Sequence, residues 1–110
     1  MLDMREYALR AVEFTRGTTL DAIKAEDHCT RMALERALFI VGEAANRVPR
    51  EVQTQYPQIP WPAMIGLRNV LAHGYEKISP ERLWQTATVS VPELLKHLDE
   101  AIEQQPPFEV

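Results

Sequence analysis

Apolar residues at helical spacing in the middle of the chain constrain its fold more than any other feature. Between residues 34 and 48 they recur every three or four positions, which places them on one face of an α-helix. They are Leu34, Ala37, Leu38, Val41, Ala45 and Val48. We therefore predict that the longest helix begins at Asp27 and runs through this segment, and that other helices pack against its apolar face.

The N-terminal part of the chain predicts two shorter helices. Residues 3–16 carry an apolar face, with Asp3 in position to act as N-cap and Gly17 just beyond the end. Two threonines follow, and their hydroxyl groups can cap a short second helix that reaches about Lys24.

Prolines mark the boundaries of the elements that follow. A short helical turn is predicted over residues 49–57, since a proline stands at each end. Three prolines within residues 56–62 predict an extended connector, because each one disfavours helical geometry in the residue before it. A helix is then expected over residues 62–73, closed by Gly74.

The last predicted helix has a strong start signal. The tripeptide Ser-Pro-Glu at 79–81 combines a capping hydroxyl, a proline at the first helical position and an acid in the first turn. We predict that this helix runs over residues 80–103. Pro92 lies inside it and predicts a kink or split near Ser90, because proline lacks an N–H donor and clashes with the preceding turn.

These segments predict an all-α fold, an up-and-down bundle of four or five helices without strands. One domain is expected over residues 1–104, followed by a frayed tail over 105–110. A chain of 110 residues with 45% apolar and 25% charged residues is long enough to form a core without metal or disulfide support.

Composition also limits the setting in which the protein works. The single cysteine, Cys29, excludes an internal disulfide and fits a reducing cytoplasm. It is adjacent to His28, a poor spacing for metal ligands on a helix, so we expect no metal site and no cofactor. The sequence predicts neither a membrane span nor a signal peptide. Its net charge of −4 argues against charge-driven coating of nucleic acids, so an RNA substrate needs a small local positive site.

Residues 68–75, Arg-Asn-Val-Leu-Ala-His-Gly-Tyr, place three reactive side chains at the end of an apolar segment. Arg68 is a fixed cation, His73 titrates near neutral pH and Tyr75 carries a phenol. Such groups are suited to handling a phosphodiester. They are equally compatible with a structural cluster, in which His73 faces the helix dipole and Tyr75 is a packed aromatic.

Positions around an ideal helix separate two of these residues. Each residue advances 100°, so if Met64 marks the core direction, Arg68 lies at about 40° and His73 at about 180°. Arg68 therefore falls within an apolar arc and needs a carboxylate, a phosphate or an interface. The carboxylate can be Glu43, although Glu43 can also pair with Arg47 four residues later.

The same angles favour a homodimer. One regular helix cannot direct Arg68 and His73 at one ligand, whereas a two-fold contact between two copies of the helix places both residues of both protomers around one groove. Gly66 lies on the His73 side and allows close approach of a second backbone. We therefore predict a homodimer with this helix at its interface.

Residues 65–75 resemble the Arg-x4-His-x-Tyr motif of the HEPN superfamily in its HepT-like branch, the toxins of HEPN/MNT toxin–antitoxin pairs. Residues 41–45, Val-Gly-Glu-Ala-Ala, and 56–61, Tyr-Pro-Gln-Ile-Pro-Trp, are also similar to the family. The similarity spans roughly residues 3–102. It implies a homodimeric α-bundle that cleaves RNA without a metal, at a composite site built from both subunits.

The resemblance also implies roles for individual residues. Arg68 would contact the scissile phosphate and stabilise the transition state, and His73 would act as general acid or base on the ribose 2′-hydroxyl. Asn69 would position the phosphate or the histidine. Independently of the resemblance, Glu43 can orient Arg68 if it does not pair with Arg47. Tyr75 would accept AMP from a minimal nucleotidyltransferase antitoxin, adding charge and bulk that block RNA.

Two other interpretations stay open at this point. In the first, the chain is a non-catalytic partner subunit of a nucleotidyltransferase, and the motif serves as docking surface or modification site. In the second, it is a plain helical bundle in which the motif forms a buried ion-pair cluster.

Overall fold

The computed structural model describes residues 1–25, 28–73 and 78–104. No strand occurs in these ranges, which confirms the all-α prediction. The elements are α1 (Leu2–Arg16), α2 (Leu20–Ala25), α3 (His28–Arg47), α4 (Arg50–Gln55), α5 (Trp61–His73), α6 (Pro80–Gln85), a π-helical segment (Thr86–Ser90) and α7 (Val91–Gln104). The predicted start at Asp27, the closing Gly74 and the tail over 105–110 lie outside the described residues.

Helix α3 is the centre of the fold, as its long apolar face predicts. It packs against α1 on one side and α5 on another, and α1 also packs against α7. The apolar residues that the periodicity selects are buried where they lie in α3, and Val48, just beyond its end at Arg47, packs at the margin of the core. Helix α5 makes its main helix–helix contact with α3.

The N-terminal caps differ in part from the predictions. Helix α1 begins at Leu2 with Met1 as N-cap, and Asp3 lies inside the first turn without a capping hydrogen bond. The prediction of Asp3 as N-cap is wrong because the Arg5 N–H already donates to the Met1 carbonyl, 3.1 Å away, one turn earlier. The cap of α2 is confirmed, since the Ala22 N–H donates to Thr19 Oγ1 at 3.1 Å.

The segment between α4 and α5 is a compact turn, and the prediction of an extended connector is wrong. Tyr56, Ile59 and Trp61 are all buried in the core. The Ile59 N–H and the Trp61 indole N–H both donate to the Tyr56 carbonyl oxygen, each at 3.1 Å. Burial of three large apolar side chains outweighs the extended preference that the prolines impose. The turn fixes the start of α5.

The helical run from α6 to α7 confirms the predicted irregularity near Ser90. Ser79 caps α6 by accepting a hydrogen bond from the Arg82 N–H at 3.1 Å. The π-helical segment stands directly before Pro92, and the Val91 N–H donates to the Thr86 carbonyl, five residues back. Since Pro92 has no N–H, the carbonyl four residues before it loses its ordinary donor, and a wider turn accommodates the ring.

Candidate functional site

Helices α3 and α5 come unusually close together at Gly42. A methyl group added at Gly42 would overlap the Arg68 side chain and would lie 2.7 Å from the Met64 carbonyl oxygen. Only a residue without a side chain permits this approach of backbone to side chain. Gly42 therefore sets the depth at which α5 lies on α3 and brings Arg68 against the α3 surface.

Arg68 is held there by a carboxylate from the facing helix. Its Nε donates a hydrogen bond to Glu43 Oε1, and its Nη1 donates to Asn69 Oδ1 at 2.8 Å. The side chains of Arg68 and Glu43 are 28% and 26% exposed, so the pair is largely but not wholly removed from water. The apolar arc predicted a partner of this kind for Arg68. Of the two pairings that the sequence left open for Glu43, the structure shows the one with Arg68.

The aromatic ring of Phe39 lies beneath this ion pair. The Arg68 guanidinium carbon is 6.0 Å from the ring centroid, and that of Arg36 is 5.2 Å away. Both distances are within the range of cation–π attraction. Sequence reasoning missed Arg36 and Phe39. The sequence feature that could have identified them is their spacing. Arg36, Phe39 and Glu43 are three and four residues apart, which places them on one face of α3.

The remaining predicted site residues are placed only in part. Asn69 is exposed and lies beside Arg68, with which it shares a hydrogen bond. His73 is the last residue of α5. Because α5 is helical from Trp61 to His73, the backbone positions of Arg68 and His73 differ by about 140° around its axis. The His73 side chain and Tyr75 lie outside the described residues, so their roles stay predictions.

Helix α5 is apolar on nearly every side but covered mainly by α3. Its sequence, WPAMIGLRNVLAH, contains three polar residues, Arg68, Asn69 and His73. Yet Pro62, Ala63 and Gly66, which lie on one side of the helix, are exposed. A helix that is apolar all round is normally buried all round. Its uncovered side is therefore suited to contact with another protein surface.

Among the described residues, no group of three histidine, cysteine, aspartate or glutamate side chains is arranged to hold a metal ion. None of the described helices combines the length and apolar character needed to cross a membrane.

Comparison with known proteins decides the family. The profile of the ribonuclease HepT-like family matches residues 4–101. The chain belongs to the HepT-like ribonuclease family. The resemblance carried by residues 65–75 is thereby confirmed, and the match includes Glu43, Arg68 and His73.

Individual relatives of this HepT-like chain support the same assignment. A protein of Thermococcus cleftensis named as a probable ribonuclease HepT is 35% identical over 92 residues, which cover 84% of this chain and 83% of the relative. A protein of Methanocaldococcus jannaschii named provisionally as an RNase is 33% identical over 103 residues, covering 94% and 84%. A second such protein of that organism is 32% identical over 99 residues, covering 90% of each chain. No solved structure matches the chain significantly.

Proposed function

We propose that two copies of this HepT-like chain form a metal-independent endoribonuclease that acts in the cytoplasm as the toxin of a HEPN/MNT toxin–antitoxin pair. Family membership supports ribonuclease activity. The observation that carries the site is Arg68, a fixed cation held at a groove between α3 and α5 by Glu43, with Asn69 bonded to its outer nitrogen. An arginine fixed in this way is suited to bind a phosphate with little loss of side-chain entropy.

The dimer follows from the surroundings of α5. The side of this helix that carries Gly66 is uncovered in one chain, although the helix is apolar nearly throughout. A two-fold contact that includes that side buries it, and it lets His73 of one protomer approach the groove that holds Arg68 of the other. It also overcomes the angular separation of about 140° between the two residues within one helix.

The proposed chemistry is transesterification at the phosphate. His73 of one protomer takes the proton of the ribose 2′-hydroxyl, and the 2′-oxygen attacks phosphorus. Arg68 stabilises the negative charge that develops on the non-bridging oxygens. The P–O5′ bond breaks, and His73 of the other protomer donates a proton to the leaving oxygen. The products are a 2′,3′-cyclic phosphate and a free 5′-hydroxyl.

Tyr75 provides the proposed means of neutralisation. A minimal nucleotidyltransferase, the antitoxin of the pair, transfers AMP from ATP to the Tyr75 hydroxyl and releases pyrophosphate. The new phosphate places negative charge and bulk two residues from His73. RNA is then excluded by repulsion and by occlusion.

The test is RNA cleavage in EDTA by the purified protein and matched variants. We expect Arg68→Ala and His73→Ala each to reduce cleavage at least 100-fold, since each removes a group that acts in the transition state. Arg5→Ala and His28→Ala are the controls, because Arg5 forms an inter-helix ion pair on α1 and His28 is exposed at the start of α3. Both controls should retain activity.

Circular dichroism and sedimentation of each variant distinguish loss of chemistry from loss of the folded dimer. Cleavage that survives in folded Arg68→Ala or His73→Ala protein would refute the proposed site. Monomeric behaviour of the wild-type protein at micromolar concentration would refute the composite arrangement.

A second candidate function, a non-catalytic subunit that binds a nucleotidyltransferase, is favoured by one observation. Glu43 already neutralises Arg68, which lowers the attraction of that cation for a phosphate. This alternative expects an AMP mass increment on Tyr75 in the presence of the enzyme and ATP, together with no RNA cleavage by the unmodified chain. A Tyr75→Phe variant that still gains AMP would exclude Tyr75 as the acceptor.

A further inference from the structure

A surface groove lies beside the Arg68–Glu43 pair, between the outward side of α3 and the last turns of α5. It is lined by Met32, Glu35, Arg36, Phe39, Leu71 and Ala72. Phe39 and Leu71 are half-buried and form apolar walls, whereas Met32 is 66% exposed at the rim. The groove begins where Arg68 covers Phe39 and runs towards the end of α5, where His73 stands.

The arginines at this groove differ in whether a carboxylate pairs with them. Arg68 is paired with Glu43, and Arg31 lies 3.8 Å from Glu35. Arg36 takes part in no ion pair among the residues that the structure describes, and its guanidinium lies over the Phe39 ring. An arginine of this kind retains its full charge for a ligand, while the ring holds its side chain in place.

We propose that this groove binds the nucleotide next to the cleaved bond, with the base between the apolar walls that Phe39 and Leu71 form and a neighbouring phosphate on Arg36. Aromatic side chains and guanidinium planes are the surfaces on which proteins stack unpaired RNA bases. Arg36 and Arg68 share one aromatic ring, so they are close enough to contact successive phosphates of one strand. The proposal rests on the ribonuclease function proposed above and specifies its substrate as single-stranded RNA.

Charge favours RNA over a second protein copy as the occupant of this groove. The chain as a whole carries a net charge of −4, yet Arg36 presents at this groove a guanidinium that none of the described carboxylates pairs with. A nucleic acid strand complements that charge. Since every base has a stacking face, the groove confers a preference for unpaired strands with little discrimination among bases.

The experiment measures binding and cleavage of a single-stranded RNA oligonucleotide and its duplex form. Binding is followed by fluorescence anisotropy in a His73→Ala background, and kcat and KM are measured in the otherwise wild-type protein. We expect Phe39→Leu and Arg36→Gln each to raise Kd and KM for the single strand about tenfold, with kcat within about threefold of wild type. Phe39→Trp, which keeps a stacking surface, should restore affinity.

Helix α1 offers a matched control. Arg10 lies over the Tyr7 ring at 5.5 Å with the same three-residue spacing as Arg36 and Phe39. Arg10→Gln should leave Kd and KM unchanged. Sedimentation of every variant reports whether the oligomeric state is preserved.

The outcomes separate this proposal from the one on which it rests. If the wild-type protein does not cleave RNA, the ribonuclease function itself fails. If it cleaves RNA but Phe39→Leu and Arg36→Gln bind the single strand as tightly as wild type, the groove proposal alone is overturned. Dissociation of the dimer by Phe39→Leu, with RNA affinity of Arg36→Gln unchanged, would overturn it in favour of a protein interface.

Discussion

Among the residues that the structure describes, two arginine–carboxylate pairs join neighbouring helices, and their surroundings differ. Arg5 on α1 bonds to Asp99 on α7 at 2.6 Å, with side chains 43% and 52% exposed. Arg68 on α5 bonds to Glu43 on α3, with side chains 28% and 26% exposed, over an aromatic ring and next to Gly42. The first pair is an ordinary surface ion pair. The second pair is half-buried and depends on the close approach of α3 and α5 at Gly42.

The helices that carry these pairs differ in the same way. Helix α7 buries Leu94, Leu98 and Ala101 and exposes its charged residues. Its apolar face is therefore covered within one chain. Helix α5 is apolar nearly throughout and leaves part of that surface uncovered. The contrast teaches that the α1–α7 side covers its apolar residues within one chain, while the α3–α5 side holds a charged group in place and leaves small apolar residues of α5 exposed.

The largest expected effect is that of Gly42→Ala on the α3–α5 contact. The added methyl group has no room beside the Met64 carbonyl and the Arg68 side chain, so the helices must separate. We expect the free energy of unfolding to fall by about 2 kcal/mol, the usual cost of overpacking. Urea unfolding at fixed protein concentration measures it. RNA cleavage should fall as well, because Arg68 is displaced.

Gly17→Ala is the control for this change. Gly17 has a φ of −94° and no other atom within 4 Å of an added methyl group, so alanine fits there. Its unfolding free energy should match that of the wild type. Equal stability of Gly42→Ala and Gly17→Ala would show that α3 and α5 are not in close contact at Gly42.

Neutralising each carboxylate should show that the two ion pairs contribute differently to the free energy of unfolding. Glu43→Gln leaves the half-buried Arg68 without a counter-charge, and we expect a loss of about 1–2 kcal/mol in unfolding free energy. Asp99→Asn removes a pair that water already screens, and we expect a loss below about 0.5 kcal/mol. Urea unfolding of both variants measures the difference. Similar losses would contradict the distinction drawn between the two sides of the molecule.

Local patterns in the sequence predicted the helices well and the contacts between them less well. The period of α3, the Ser79 cap and the irregularity before Pro92 depend on neighbouring residues, so they could be found from spacing alone. The turn after Tyr56 was missed because burial against distant parts of the chain overrode the local preference of proline.

In the candidate site, too, features that depend on local spacing were predicted and contacts between helices were not. Periodicity placed Arg68 in an apolar arc, so the sequence predicted that Arg68 needs a counter-charge. It offered Glu43 as a candidate, and the structure shows that pair. The contribution of Phe39 and the spacing role of Gly42 depend on the register of α3 against α5. That register is set by packing between residues far apart in sequence, which periodicity within one helix does not encode.

Gly66→Ala tests whether the uncovered side of α5 is the dimer contact. In one chain, an added methyl group at Gly66 meets no atom within 4 Å. At concentrations where the protein is monomeric, alanine should raise the unfolding free energy by about 0.5–1 kcal/mol through helix propensity. In sedimentation over a dilution series it should raise the dimer dissociation constant, because the helices can no longer approach closely. An unchanged dissociation constant would place the interface elsewhere.

The smallest expected effect is that of Lys24→Gln, which removes a third pair, also on the surface. Lys24 Nζ lies 2.9 Å from Glu81 Oε2 and joins α2 to α6. Their hydrogen bond lowers the pKa of Glu81 below its ordinary value of 4.5 and raises the pKa of Lys24 above 10.5. The pair therefore stabilises the fold fully between these two pH values. Its contribution is lost as Glu81 is protonated at lower pH and as Lys24 is deprotonated at higher pH.

Thermal unfolding of Lys24→Gln at several pH values checks this last prediction. The midpoint should lie slightly below that of the wild type at neutral pH, and the gap should close in acid, as the Glu81 carboxylate gains a proton below its ordinary pKa of 4.5. Lys96→Gln is the control, because Lys96 is an exposed lysine of α7 outside the ion pairs of the described residues. Its midpoint should follow the wild type at every pH. A gap for Lys24→Gln that persists in acid would show that Lys24 acts through its aliphatic chain and not through its charge, since the carboxylate partner is then neutral.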